Sequence, residues 1–392
     1  MDDKNRKPGS PALRWSVRGG VALVVVAALF HLVGGWYFSS KINSGGLTPS
    51  APERNYGVEV VDIDDERVVL TGDDGAIRDP GTYALVWDGG QATVGEVVAL
   101  PGDNTASREL ISITAELPVN PSEVDLDAWM FETPHNAGLQ YWDVSYATPL
   151  GDMNAWMVPA PSPSTTWAIH VHGWRTDRRE AIRSLGAFHE AGVHSLVISY
   201  RNDQGAAADP SGRYGFGQTE WPDLEAAVQH ALDNGAQRIV LSGFSTGGAI
   251  AIAFMTESDL ADHVTAIVLD SPNLDFGMVV KSEASRTSLI PGLPIGVPGT
   301  LTATAMTIAG LRYSIDWNAI NYVDNGEPVD VPVLIFHGDS DQTVPLEVSQ
   351  RFARANPDQV TLVVTEGASH VRSWNVDADR YDSELNAFLN GE

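Results

Sequence analysis

The chain has 392 residues, of which 43% are hydrophobic and none is cysteine. That length supports one large or two modest domains with a real core, and the missing cysteines exclude disulfides, thiolate metal sites and a cysteine nucleophile. A net charge of -27 has the wrong sign for phosphate binding, which needs clustered Lys and Arg, so nucleic acid is not an expected partner and the charge reads as a soluble, self-repelling surface.

Residues 1–18 carry Lys4, Arg6, Lys7, Arg14 and Arg18 against Asp2 and Asp3, and residues 19–40 contain no Lys, Arg, Asp or Glu. This apolar run is long enough to cross roughly 30 Å of hydrocarbon as a helix, with Trp36 and Tyr37 at its far end, where aromatic rings favour the interface. The basic residues before it predict a cytoplasmic N-terminus (1–18), a single transmembrane helix (19–40) and an extracytoplasmic remainder. A cleaved signal peptide is the competing reading, although no small-x-small site follows the run cleanly. His31 lies inside the span and is given no function.

Residues 41–56 are rich in Gly, Ser and Pro and read as a flexible linker. A β-rich accessory region follows over 57–135, with strands expected at Val58–Val61, Arg67–Thr71, Thr82–Trp87 and Gln91–Leu100 between Gly-containing turns. It carries no recognisable chemistry. Asp62, Asp64, Asp65, Asp73 and Asp74 could bind calcium, but acidic turns usually face water.

From Leu139 onward, short apolar strands alternate with helices. Strands are expected over 139–147, 153–158, 167–171, 195–200, 239–241, 264–270, 331–337 and 360–365, and helices over Arg178–Glu190 and from Pro222 to Gly235, where proline suits the first helical position. Such alternation predicts an α/β fold: a mostly parallel central sheet with helices on both faces and an active site at the carboxyl ends of the strands. Residues 271–330 interrupt the rhythm with an apolar stretch punctuated by Pro291, Pro294 and Pro298. The prolines argue against a second membrane span, and the segment reads as an inserted cap or as an extra packing layer.

The chemistry centres on Gly243-Phe244-Ser245-Thr246-Gly247, which lies between a β-branched strand and an apolar, small-residue helix. In a G-x-S-x-G turn the serine hydroxyl stands clear of the sheet, the glycines permit close backbone approach, and the helix N-terminus directs N–H groups at a developing oxyanion. A serine nucleophile needs a base, and the base an orienting carboxylate. Two loops at strand ends can supply them: His337-Gly338-Asp339-Ser340-Asp341-Gln342-Thr343-Val344-Pro345 and Gly367-Ala368-Ser369-His370.

With these motifs and His172-Gly173-Trp174 after the third strand, the chain resembles the α/β-hydrolase family of serine hydrolases over residues 139–390. That resemblance implies a catalytic triad of Ser245, Asp341 and His370, with the backbone N–H groups of Thr246 and Trp174 as the oxyanion hole. Asp339 then reads as a turn former and Asp270 as a substitute acid. His172 and His337 are expected to hydrogen-bond loop backbone, and His170, His189, His194, His230 and His263 lack a partner pattern. Tyr200-Arg201-Asn202-Asp203, Tyr214-Gly215 and Glu220-Trp221 are similar to a loop of membrane-anchored bacterial hydrolases related to the acylglycerol lipase-like and Bem46-like groups.

No H-E-x-x-H and no phosphate loop occurs, so neither metal nor cofactor is expected. The sequence reading is a single-pass, membrane-anchored serine hydrolase of carboxylic esters, with small-molecule or lipid-like, hydrophobic acyl substrates. Two alternatives stand beside it: a prolyl-oligopeptidase-type serine peptidase, and an inactive binding protein that kept the fold.

Overall fold

A computed structural model describes residues 11–51, 54, 56–72, 75–115, 124–290, 292–327 and 329–391. Asp73, Asp74 and Pro291, singled out above, lie outside the described residues. The first helix, α1 (Pro11–Ile42), starts before the expected boundary at residue 19 and ends just beyond residue 40. No proline or acidic residue follows Pro11 to break it. Among the described residues it contains the single stretch long and apolar enough to cross a membrane. Asn43–Leu47 continues it as a π-helical turn rather than as part of a linker.

The accessory region is a six-stranded antiparallel sheet with spatial order β1-β2-β5-β4-β3-β6. Its strands are β1 (Val58–Ile63), β2 (Arg67–Gly72), β3 (Tyr83–Trp87), β4 (Gly90–Gly102), β5 (Thr105–Ile113) and β6 (Asp125–Asp127). Val68, Leu70, Leu85, Val94 and Leu126 alternate inward to make one core. The sequence reading missed β5, because Arg108 and Glu109 interrupt its apolar pattern. Arg108 is nevertheless fully buried, donating to the carbonyls of Gly95, Ile77, Asp79 and Gly81 with its guanidinium over the Tyr83 ring.

The second sheet has eight strands: β7 (Trp142–Thr148), β8 (Gly151–Val158), β9 (Thr166–Val171), β10 (His194–Ile198), β11 (Arg238–Phe244), β12 (Val264–Asp270), β13 (Val333–Gly338) and β14 (Val360–Thr365). Its order is β14-β13-β12-β11-β9-β10-β8-β7, with β9 to β14 parallel and the β7–β8 hairpin antiparallel at one edge. The helices between and after them are α2 (Ile182–Glu190), α3 (Trp221–Asp233), α4 (Thr246–Glu257), α5 (Phe276–Arg286), α6 (Gly299–Tyr313), α7 (Glu347–Ala355), α8 (Ser373–Val376) and α9 (Ala378–Asn390). Phe188 of α2 and Tyr381 and Leu385 of α9 pack on Ala168, Val240, Val268, Leu334 and Phe336 of successive strands. The chain leaves β9 outward to β10, then returns to place β11 on the other side of β9. Two loops therefore diverge at the carboxyl ends of β9 and β11, and a crevice opens where the strand order reverses.

The described residues divide into two compact units, one within 49–279 and 317–392, the other within 1–48 and 280–316. In the second unit α6 packs along α1. Leu301 lies against Gly34, Thr304 and Ile308 against Gly35, and Thr300 Oγ1 is 3.2 Å from His31 Nε2. Arg312 donates to the Trp36 carbonyl and to Ser39 and Ser40. Residue numbers rise together on the two helices, so they run parallel.

A Cβ built on Gly35 would lie 3.5 Å from the Cβ of Thr304, inside the window of about 3.5–4.5 Å that a disulfide requires. In this cysteine-free chain, the double variant Gly35→Cys/Thr304→Cys should oxidise quantitatively to an intramolecular disulfide. Non-reducing electrophoresis after proteolysis between the two sites would show it, and failure to crosslink would remove the helix pairing.

Candidate active site

The strand β11 is buried from Ile239 to Phe244 and delivers Ser245 to the start of α4. Ser245 has φ 49° and ψ -114°, a conformation that costs on the order of 1–3 kcal/mol and persists only where the surroundings enforce it. Its N–H donates to the Asp270 carbonyl at 2.9 Å, and its carbonyl accepts from Gly248 and Asn273 at 3.0 and 2.9 Å. The flanking glycines are sterically required: a Cβ on Gly243 would sit 2.6 Å from the Gly247 carbonyl oxygen, and one on Gly247 only 2.0 Å from that of Val171.

The loops after β13 and β14 bring the other two residues to this serine. His370 Nε2 is 2.9 Å from Ser245 Oγ, and His370 Nδ1 is 2.7 Å from Asp341 Oδ2. Asp341 Oδ1 accepts the N–H groups of Thr343 and Val344. Burial alone would raise the Asp341 pKa, but the His370 charge and hydrogen bonds from His337 and His370 hold its carboxyl well below the usual carboxylate range. His337 is fully buried, 3.3 Å from Asp341 Oδ2, and bonded to Ser349 Oγ and the Val344 carbonyl. It buttresses the carboxylate rather than facing Ser245.

The loop after β9 abuts Ser245, since a Cβ on Gly173 would lie 3.0 Å from Ser245 Cβ. Two groups that the sequence reading did not single out for a role hold this loop. The buried carboxylate of Glu180 accepts the Gly173 N–H at 2.6 Å and the Thr176 hydroxyl at 3.0 Å, and the Tyr200 hydroxyl donates to the carbonyls of His172 and Gly173. His172 itself is buried between the Gly173 carbonyl and Asp203 Oδ2, at 2.9 and 2.8 Å. A cavity of about 200 Å³ lined by Trp156, Thr176, Arg178, Asp203 and Tyr214 lies beside the loop, and none of the three clustered residues borders it.

Opposing the His172 desolvation that would lower its pKa, Asp203 raises it to about 9 from 6.5. Between those values the folded state binds a proton that the unfolded chain releases, so the stabilisation is complete below 6.5 and is lost as pH rises through 9. The shift corresponds to about 3 kcal/mol. Asp203→Asn should remove it, flattening the pH dependence of urea unfolding across that window. An unchanged slope would show that His172 is not charged in the folded protein.

The accessory sheet reaches the same region through the turn at residues 79–82. Ser369, next to His370, donates to Asp79 Oδ2 at 2.9 Å. Buried Asn375 donates to the carbonyls of Thr82 and Ala128 and accepts from Arg183, which also binds the Val371 carbonyl. Gly81, at φ 101°, is confined there because a Cβ would strike the Asn375 carbonyl at 2.3 Å. Asn375→Ala leaves several buried groups without partners and should destabilise the protein by about 3 kcal/mol, with proteolysis of the 366–376 loop as a second readout. A cost near zero would sever the accessory sheet from the His370 loop.

The remaining sequence candidates fall elsewhere. Asp339 accepts from Gly367 N–H and shapes its turn. Asp270 is buried at the end of β12, where desolvation raises its pKa to about 6. His170 is buried edge-on to Phe188, and desolvation lowers its pKa to about 3, so it is neutral. His189 meets the Pro159 carbonyl, His194 accepts from Ala160 N–H, His230 lies against Tyr146, and His263 ends a 3-10 turn. Arg201 is locked by Asp209 and Asp223, while Glu220 accepts the N–H groups of Gly215 and Gly217. Among the described residues no cluster suited to a metal ion occurs, Asp62, Asp64 and Asp65 included.

A family model described as the alpha/beta hydrolase family matches residues 168–384, more than half of the chain. The chain belongs to that family. A second model, a domain of unknown function (DUF8805), matches residues 59–126 of this hydrolase. The hydrolase is similar to the uncharacterized protein YfhR of Salmonella typhimurium, at 25% identity over 248 residues covering 57% of this chain and 72% of that protein. It also resembles non-heme chloroperoxidase CPO-A1 of Kitasatospora aureofaciens, at 35% identity over 92 residues covering 22% of this chain and 33% of that one. Among solved structures, the Pyrococcus furiosus esterase Pf2001 aligns with a TM-score of 0.51 at 23% identity, covering 67% of this chain and 96% of that chain. That likeness concerns the fold.

Proposed function

We propose that this hydrolase is a membrane-anchored, extracytoplasmic serine esterase working through an acyl-enzyme. The observation that carries the reading is the continuous hydrogen-bond path from Ser245 Oγ through His370 to buried Asp341. Ser245 Oγ attacks the ester carbonyl carbon while its proton passes to His370 Nε2, and Asp341 steadies the imidazolium. The oxyanion meets the N–H of Thr246, at the start of α4, and that of Trp174. The preceding N–H, on Gly173, is already taken by Glu180. Each such donor is worth roughly 3 kcal/mol. The tetrahedral intermediate collapses with cleavage of the ester C–O bond, and His370 protonates the departing alkoxide. Water then repeats the cycle on the acyl-enzyme, so the chemistry requires no cofactor.

The α1 composition and the basic residues ahead of it support a signal-anchor with the catalytic domain outside. The apolar 271–330 segment supports hydrophobic acyl or lipid-like esters. An ester reading is favoured over a prolyl-oligopeptidase-type peptidase because the accessory region is one six-stranded sheet rather than a set of propeller blades.

Fluorophosphonate labelling of the purified protein tests this directly. The wild type should label at Ser245, while Ser245→Ala and His370→Ala should lose labelling and roughly 10⁶ in kcat. Asp341→Asn should cost about 10⁴. p-Nitrophenyl esters of increasing chain length should favour the longer acyl groups. A folded wild type that neither labels nor turns over any ester would leave a binding protein on a hydrolase fold.

A further inference from the structure

We propose that the insertion is a second membrane element: the segment from Ser288 to Leu311 enters the outer leaflet beside α1, with lipid acyl chains as its partner. The inference rests on reading α1 as a membrane anchor. The segment then forms a re-entrant hairpin, in which the chain dips into the bilayer and α6 returns to the same side.

Composition gives the first argument. No charged residue occurs from Thr287 to Leu311, and the run is bounded by Arg286 and Arg312. Ile290, Leu293 and Ile295 crowd into the turn before α6 with about half of their surface exposed, and Leu311 is 83% exposed. Facing water, these side chains would forgo their transfer energy, whereas acyl chains recover it.

Backbone accounting gives the second. Non-helical chain at membrane depth must satisfy its own polar groups. Leu289, Leu293, Ile295 and Val297 donate their N–H groups to the carbonyls of Ile295, Ile290, Leu293 and Ala284, at 2.7 to 3.0 Å. The Ser288 hydroxyl lies 2.6 Å from two carbonyls of the same turn, those of Ile290 and Leu293. In α6 the hydroxyls of Thr302, Thr304 and Thr307 each return to the carbonyl four residues earlier. Arg286, on the approach, is paired with Glu283 at 3.1 Å and Ser282 at 2.8 Å, so its charge does not travel alone.

The register on α1 sets the depth. The contacts of α6 begin at His31 and end at Ser40, a rise of about 14 Å along α1. That is about half of the roughly 30 Å hydrocarbon layer. The far end is interfacial: the Arg312 guanidinium lies 3.7 Å from the Trp36 ring centroid and donates to Ser39 and Ser40 at 2.7 and 2.9 Å. Between these limits the helices meet through Gly34 and Gly35 and the His31–Thr300 hydrogen bond. Small residues and isolated polar bridges are how helices associate where no water drives them together. His31, otherwise an expensive residue in a span, has a partner on α6.

The test uses the full-length chain in phosphatidylcholine vesicles, with single cysteines introduced by Val25→Cys, Gly45→Cys, Leu293→Cys or Ile295→Cys. Each carries an environment-sensitive fluorophore and is exposed to lipids bearing a quencher on mid-chain carbons. A parallel set of unlabelled variants is treated with a membrane-impermeant thiol reagent. The expected result is quenching at positions 25, 293 and 295, loss of reaction with the reagent at 293 and 295, and the reverse on both counts at 45. Quenching at 25 with full reactivity at 293 and 295 would place the insertion in water and overturn the proposal. Protection at 293 and 295 without quenching would show a protein cover, such as a second copy of the chain, and would also overturn it. No quenching at 25 would remove the anchor, and the inference with it, while leaving the esterase reading untouched.

Discussion

The site at the carboxyl end of the eight-stranded sheet depends on one enforced backbone conformation, that of Ser245. A residue at φ 49° and ψ -114° does not stay there on local preference. It is held by hydrogen bonds to Asp270 and Asn273 and by two glycines whose missing side chains let β11, α4 and the end of β9 touch. The strained turn occupies the point where strand order reverses, and the loops carrying Asp341 and His370 emerge from β13 and β14, the second and third parallel strands on that side. Sheet topology and side-chain chemistry thus converge on one serine oxygen.

Around that oxygen several buried charges are held by partners within the protein. Asp341 draws on two histidines and two peptide N–H groups, and His337 contributes by supporting the carboxylate. Glu180, Asp203 and Tyr200 do the same for the loop after β9. Buried networks of this kind are stabilising only when complete. The accessory sheet completes one of them by gripping Ser369 and Asn375, which gives a physical role to a region whose sequence showed no chemistry.

What could be read from the sequence follows the range of the interactions. The G-x-S-x-G turn, the loops carrying Asp341 and His370, and six of the eight strands of the second sheet, to within two residues of their observed ends, are encoded by local pattern. β7 and β11 depart by three residues at one end: pairing in β7 begins at Trp142, after a 3-10 turn that ends at Ala137, and β11 runs on to Phe244. Glu180 gave no signal, since an acidic residue at the start of a helix ordinarily faces water or caps the dipole, and its inward turn is set by Gly173. Asn375 and Asp79 are distant in sequence from what they bind. The apolar, proline-rich insertion was legible as apolar but not as a companion of α1, because that pairing joins residues some 270 positions apart.

The most direct test of the account is the identity of the covalent intermediate. Wild-type protein mixed with a slow p-nitrophenyl ester and quenched in acid within the first turnover should show, by peptide mass spectrometry, one acyl adduct on the Ser245 hydroxyl. It should form at the rate of the p-nitrophenol burst. Turnover without an adduct, or an adduct confined to another residue, would contradict a mechanism built on Ser245.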